Sequence, residues 1–284
     1  MNTFRRVFYN SNKQETRIMA LQNEPAFTYL MADVASGEIF PALRENVIDF
    51  YYMGARLCHY AAGKMAWHKN EPYPSDNGDY KSIKKKCVEW GTRKNGSFNE
   101  RATLSALYRD KGFSPYMSDQ SNMILLDMEV GFPCLSIEGK SIQNVQVDLL
   151  FLDLDTNTLF FIEAKEADDP RIKVVPDKNE SETSLYKRLE VSEQIMKYEA
   201  NLNYKKREQE IISAYSDYIN VMNQIFHCKI QKKQLSLYPR PKLFVYGEST
   251  PNGKICLNAL RFTLGDDLIT KSEARYLQKK DIVK

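Results

Sequence analysis

The chain has 284 residues, 43% hydrophobic and 27% charged, enough for one large domain, or one domain with an accessory piece, that buries a full core. A formal net charge of +3 permits a nucleic-acid partner without demanding one, so any phosphate-binding surface is expected to be a local patch. The five cysteines (Cys58, Cys87, Cys134, Cys228, Cys256) are scattered and form no CxxC pair, and no apolar run nears the roughly 18 residues of a membrane span, which argues against a disulfide framework, a zinc site and a membrane partner.

Taken in chain order, the N-terminal MNTFRRVFYNSNKQETR is polar and lacks the apolar core of a signal peptide, so a cytoplasmic protein is expected. From Ile39, the alternation of Ile48, Phe50 and Tyr52 before Met53-Gly54 predicts a β-hairpin turning at Gly54, with a helix as the competing reading. HKNEPYPSDNGDYKS, with Pro72, Pro74 and Gly78, predicts a loop. KSIKKKCVEWGTRKNG then gathers Lys81, Lys84, Lys85, Lys86, Arg93 and Lys94 around Trp90, and a boundary is expected near residue 95. It divides an N-terminal β-containing accessory region, 1–95, from a domain spanning 96–284.

Within that domain, SFNERATLSALYRDKGF predicts a short helix with Leu104, Leu107 and Tyr108 on one face and a stop at Gly112. MILLDMEVGF predicts a strand, and FPCLSIEGKSIQNVQVDLLFLDLD two more with a turn near Gly139-Lys140. Asp155-Thr156-Asn157 is a turn, LFFIEAK a strand, Ser184 to Phe226 a long helical region, and PKLFVYG a last strand. This order predicts an α/β domain with a mixed central sheet.

Chemistry concentrates in NVQVDLLFLDLDTNTLFFIEAK. A hydrophobic strand normally excludes charge, because an unpaired buried carboxylate is costly. Here Asp148 interrupts one strand, and Glu163 and Lys165, which share a face, end the next. A hairpin centred between Asp155 and Thr156 pairs Asp153 with Thr158 and brings Asp148 beside Glu163; a slip of one residue would separate them. Two carboxylates on rigid strands suit Mg2+ or Mn2+, which polarises a phosphoryl oxygen and lowers the pKa of an attacking water. Lys165 would orient that water, act as its base if its own pKa is depressed, or counter the developing charge. A surface ion-pair cluster is the structural alternative.

An Asp on one core strand followed by Glu163-Ala164-Lys165 on the next resembles the PD-(D/E)XK nuclease superfamily. Val147 stands where the formal motif has proline. The resemblance covers roughly residues 97 to 202 and implies a restriction-endonuclease-like core, a central mixed sheet flanked by helices. It also implies a metal held by Asp148, Glu163 and the Ala164 carbonyl, and hydrolysis of DNA phosphodiester bonds leaving a 5′-phosphate. Superfamily members commonly carry a Glu on the preceding helix, where it orients metal or water, a place that Glu100 fills. Ser97-Phe98-Asn99-Glu100 also reads as a capping box, and Glu129 is a weaker substitute. RecB-like members carry QxxxY on the helix after the ExK strand. Gln194 and Tyr198 match that type, spacing and order, although Tyr198 also continues an apolar row with Val191, Ile195 and Leu202.

The four spaced cysteines that hold an iron–sulfur cluster in some RecB-like nucleases are missing, so no cluster is expected. ESTPNG predicts a loop and not a phosphate cradle, and no P-loop or Rossmann fingerprint implies a nucleotide. Lys84, Lys85, Lys86, Trp90, Arg93 and Lys94 would track and stack a nucleic acid, or form a solvated basic surface. Lys229, Lys232, Lys233, Arg240 and Lys242 make a second basic run, lining the same groove or solubilising a helix end. His59, His68 and His227 lack metal-ligand spacing and are expected to be structural. The competing functions are an inactive nuclease-like binding or scaffold module and an RNA-directed nuclease. The long helical region would suit a homodimer or larger complex.

Overall fold

The computed structural model describes the chain apart from residues 1–3, 7, 9, 10, 111, 117–121, 138, 139, 143, 144 and 232. Gly139 and Lys232, singled out above, lie outside the described residues. The chain opens with α1 (Ser11–Gln22) and α2 (Phe27–Ala35), continues through β1 (Phe40–Arg44), β2 (Val47–Tyr52), β3 (Ala55–Ala61) and β4 (Lys64–Trp67), and then forms α3 (Asn77–Gly91) and α4 (Glu100–Asp110). Next come β5 (Met123–Phe132), β6 (Leu135–Ile137), β7 (Lys140–Ile142), β8 (Val145–Asp153) and β9 (Thr158–Glu166). The remainder is α5 (Glu182–Arg188), α6 (Glu190–Asn203), α7 (Lys205–Phe226), β10 (Ser236–Leu237), β11 (Lys242–Tyr246), α8 (Pro251–Leu264), β12 (Leu268–Lys271) and α9 (Lys279–Ile282).

These elements form two compact units. One comprises Met1–Phe4, Leu126–Glu210 and Leu235–Lys284; the other comprises Arg5–Leu125 and Ile211–Gln234. The boundary expected near 95 lies inside the second unit. An antiparallel bridge, Thr92↔Phe98, straddles it, and the Asn99 N–H donates to the Gly91 carbonyl at 2.8 Å. Hydrogen bonds across residue 95 leave no linker there.

The first unit is an α/β structure around a mixed sheet of order β12-β11-β9-β8-β5, with β10 also pairing β9. β8 and β9 are antiparallel, whereas β11 runs parallel to both β9 and β12. Helices α6 and α8 pack on β8 and β12. The apolar runs Leu149–Leu152 and Leu159–Ile162 are buried on both faces, as strands in the middle of a covered sheet require. Asp153 sets the turn between them: it accepts from the Asp155 N–H at 3.1 Å and the Thr156 hydroxyl at 2.8 Å, and Asn157 takes a left-handed φ of 56°. The ladder therefore starts at Asp153↔Thr158 and runs to Leu149↔Ile162, the register anticipated above.

Three local expectations change. The helical region from Ser184 to Phe226 is three helices, broken where Leu189 and Tyr204 adopt extended ψ angles of 127° and 106°. The reason lies in the apolar phase. Leu185 and Leu189 make one stripe, whereas Val191, Ile195, Tyr198 and Leu202 make another two residues out of step, and only a break buries both. The second strand expected after Phe132 is divided into β7, which pairs with β6, and β8. ESTPNG is not all loop: Thr250 caps α8, accepting from the Gly253 N–H at 3.2 Å, with Pro251 as the first helical residue.

The second unit holds a four-stranded antiparallel sheet in the order β1-β2-β3-β4. The segment from Ile39 is thus strand, not helix, and turns at Met53-Gly54 as expected. Gly54 is required there. Its φ is +74°, and a Cβ would come within 2.5 Å of the Ala102 nitrogen at the start of α4. Helices α1 and α2 precede the sheet, and α2 buries Phe27, Leu30 and Val34. The region expected as loop contains one short 3-10 turn, His68–Asn70, before α3 begins at Asn77.

Candidate functional site

Asp148 lies one residue before the last paired position of β8, and Glu163 one residue after its partner on β9. The Asp148 Oδ2 accepts from the Ala164 N–H at 2.8 Å, which locks this carboxylate against β9. The Lys165 ammonium donates to Glu163 Oε1 and, at 2.8 Å, to the Ala164 carbonyl, and lies 3.6 Å from Asp148 Oδ2. From α6, the Tyr198 hydroxyl lies 3.0 Å from Glu163 Oε2 and 2.7 Å from the Gln146 carbonyl oxygen. Asp148, Glu163, Lys165 and Tyr198 therefore form one cluster in the first unit.

The cluster is a poor device for stability. Glu163 and Lys165 are 2% and 1% exposed, whereas the Asp148 side chain is 25% exposed and opens the cluster to solvent. Burying an ion costs several kcal/mol even after relaxation, and the attraction between partners rarely gives a net gain over apolar side chains of the same size.

Electrostatics divides the roles. Burial, followed by the charge of Asp148, pushes the Glu163 carboxyl up to about 8, against the opposing pull of Lys165 and Tyr198. Burial alone would lower Lys165, but the Glu163 and Asp148 carboxylates outweigh it and hold the ammonium above its ordinary value. Lys165 is thus a fixed cation, and the role of general base, which needs a depressed pKa, does not fit it in this arrangement. Orienting water and countering charge do. A phenol has one hydrogen, so the Tyr198 hydroxyl donates to one of its two acceptors, Glu163 Oε2 or the Gln146 carbonyl, at a time. Burial, with Glu163 next, also raises Tyr198 and keeps it un-ionised.

The cluster also answers whether a metal suits these residues. Among the described residues, no group of three or more His, Cys, Asp or Glu side chains is placed to hold one. Yet the Lys165 ammonium binds two oxygens, of Glu163 and the Ala164 carbonyl, and lies 3.6 Å from a third, of Asp148, and these are the donors anticipated for a metal. They are hard oxygen donors converging on a cation. Mg2+ takes such a set through one or two carboxylates and keeps waters in its other positions. The donors fit, provided that Lys165 withdraws from the point it fills.

Gln194 lies on the same face of α6 as Tyr198, and its Oε1 is buried without a hydrogen-bond partner. Glu100 opens α4, in the other unit. The expected capping box is not what starts that helix: Asn99 caps it, its Oδ1 accepting from the Ala102 N–H at 2.9 Å, while the Ser97 hydroxyl turns to Asn95 at 2.7 Å. Glu129 sits within β5 with a left-handed φ of 52°, a conformation rare for a residue with a side chain.

The basic segment separates into two kinds of residue. Lys84 is 14% exposed, bound to Asp33 at 2.7 Å and Glu38 at 2.6 Å and lying 4.5 Å from the Tyr52 ring centre, so it serves packing rather than nucleic acid. Lys86 pairs with Glu71 at 2.7 Å. Lys85, Arg93 and Lys94 are exposed, as are Trp90 and Phe98, and Phe98 was not anticipated. In the second basic run, Lys242 is fully buried on Asp267, which removes it from a groove, whereas Arg240 pairs with the same carboxylate at 3.0 Å and stays exposed. His68 Nδ1 meets the Arg56 carbonyl at 2.9 Å, in keeping with a structural role. Sequence reasoning also passed over Arg171, six residues beyond Lys165. Its one signal was the Asp-Pro pair that starts a turn directly after the ExK strand.

Among the described residues, no helix is long and apolar enough to cross a membrane. Compared with protein-family models, with curated proteins and with solved structures, the chain matches none.

Proposed function

We propose that this chain is a metal-dependent nuclease of the PD-(D/E)XK type, with the restriction-endonuclease-like fold in its first unit and DNA as its substrate. One observation carries the reading: Asp148, Glu163 and the Ala164 carbonyl converge on a single cation in a buried pocket of charge that stability does not call for. Asp148 and Glu163 would hold Mg2+ or Mn2+, which supplies a polarised phosphoryl oxygen and a water of lowered pKa.

The chain's own residues do the rest. Asp148, fixed by the Ala164 N–H, presents its partly exposed carboxylate towards solvent and substrate. Tyr198 fixes Glu163 and so sets the second carboxylate. The Lys165 ammonium moves off the shared oxygens, orients water and counters the negative charge that grows on the phosphorus oxygens. Gln194, one helical turn before Tyr198, offers a buried acceptor to that water. Lys85, Trp90, Arg93 and Lys94, in the second unit, keep their proposed role on the nucleic-acid backbone.

Linear, circular and single-stranded DNA incubated with Mg2+ or Mn2+ test the reading. Cleavage by the native chain that is lost in both Asp148→Ala and Lys165→Ala is expected. Cleavage that survives both substitutions rejects the site, and no cleavage of any substrate rejects the enzyme.

A further inference from the structure

β9 does not end the construction at Lys165. Past Glu166 the chain turns sharply: the Ala167 N–H donates to the Tyr246 carbonyl at 2.7 Å and the Asp169 N–H to the Glu166 carbonyl at 2.9 Å. Asp169 then starts a short 3-10 turn, Pro170–Ile172, and its Oδ1 accepts from the Arg171 N–H at 2.8 Å. The same carboxylate grips the Arg171 guanidinium side-on, from Nε to Oδ1 at 2.9 Å and from Nη2 to Oδ2 at 2.6 Å. One carboxylate thus fixes both the backbone and the planar fork of one residue. The Asp169 side chain is 11% exposed and that of Arg171 34%, so the anchor is covered while the guanidinium reaches solvent.

This fork stands beside the cluster. Its turn packs against α6, the helix that carries Gln194 and Tyr198. Its charge is felt at Lys165 and at Tyr198, and the Lys165 charge is felt in turn at Asp169. Arg171 adds a second positive charge that opposes that of Lys165. An anion lying over the cluster would be attracted by both. The guanidinium plane matches phosphate geometrically, and a fork already held in place loses little freedom when it binds.

We propose that Arg171, held in position by Asp169, binds a backbone phosphate of the nucleic-acid substrate next to the bond that is cut. The proposal rests on the nuclease reading above and adds to it a substrate contact and a positioning residue. Arg171 touches the substrate; Asp169 acts only through Arg171.

Fluorescence anisotropy of labelled single- and double-stranded DNA oligonucleotides, in EDTA so that nothing is cut, tests it across a series of salt concentrations. Arg171→Gln is expected to bind about tenfold more weakly. Its slope of log affinity against log salt should be shallower by about 0.9 on duplex and about 0.7 on single strands, the loss of one phosphate contact. Asp169→Asn should weaken binding and keep the slope. Arg171→Lys should also keep the slope, since the charge remains, and lose affinity, since the fork is gone; it carries the test if Arg171→Gln fails to fold by circular dichroism. Native affinity and slope in Arg171→Gln, or native affinity in a folded Arg171→Lys, overturn the proposal. If the native protein still cuts DNA with Mg2+ in that case, the nuclease reading stands without Arg171. A native protein that neither binds nor cuts any of these DNAs overturns both.

Discussion

The Tyr198 hydroxyl joins α6 to both strands of the β8–β9 hairpin, lying 3.0 Å from Glu163 Oε2 and 2.7 Å from the Gln146 carbonyl oxygen. Tyr198→Phe removes both contacts and keeps the ring. The expected result is a cost of about 1–2 kcal/mol in stability and roughly a tenfold fall in kcat, with KM for DNA little changed. Thermal melts and steady-state cleavage measure the two. A loss confined to KM would mean that Tyr198 touches substrate instead of setting Glu163.

Glu163 gives the activity a pH dependence. Burial and Asp148 raise its carboxyl to about 8, so below that pH it holds a proton that must leave before it can ligate a cation. Mg2+-dependent kcat/KM is expected to rise with pH and level off above about 8, with the midpoint moving to lower pH at higher Mg2+. A flat profile contradicts this. The sign for stability is the opposite one. The folded state keeps a proton that the unfolded state releases from about pH 4.3, so this group's contribution falls as pH rises from there towards its folded value.

The turn that sets the hairpin register has its own acid sensitivity. Asp153, with a side chain 2% exposed, accepts from Lys279 and Thr156. Burial alone would raise its carboxyl, but those hydrogen bonds hold it below its ordinary value. A depressed folded pKa contributes stability above the unfolded pKa and loses it as pH falls through the folded one. Lys279→Met should cost about 2 kcal/mol near neutral pH and clearly less in strong acid, once pH has fallen through the folded pKa of Asp153. Denaturant melts at the two pH values check this; equal losses at both contradict it.

The lysine cluster separates by substitution. Lys84→Gln breaks contacts to Asp33 and Glu38 made by a largely buried ammonium and should lower the melting temperature by several degrees. Lys85→Gln, on an exposed position of the same helix, should leave melting unchanged and weaken DNA binding. If Lys84→Gln melts like the native protein and Lys85→Gln binds like it, the division of roles is refuted.

What could be read from the sequence follows from how local each feature is. The Asp155-Thr156-Asn157 turn and the apolar runs on either side were enough to fix the β8–β9 register, and that register carries Asp148 to Glu163. Tyr198 was singled out by the resemblance to the RecB-like QxxxY motif, with helical spacing putting it and Gln194 on one face. The break at Leu189 was written in the phase of the apolar residues, but one continuous helical region was read across it. Lys84 was indistinguishable from Lys85 and Lys86, because only the fold brings Asp33 and Glu38 to it. The division into units could not be placed from composition, since Ile211–Gln234 returns to the unit that the chain left at Leu125. Arg171 gains its meaning from a turn whose geometry a linear reading does not give.

The most direct test is to locate Mn2+ in crystals of the protein by anomalous scattering, in the native chain and in Asp148→Asn. The account predicts one strong peak bound to the Asp148 and Glu163 carboxylates and the Ala164 carbonyl, with the Lys165 ammonium displaced from its contact with Glu163, and no peak there in Asp148→Asn. Cleavage-competent native crystals with no manganese at those oxygens, and Lys165 still in place, would contradict it.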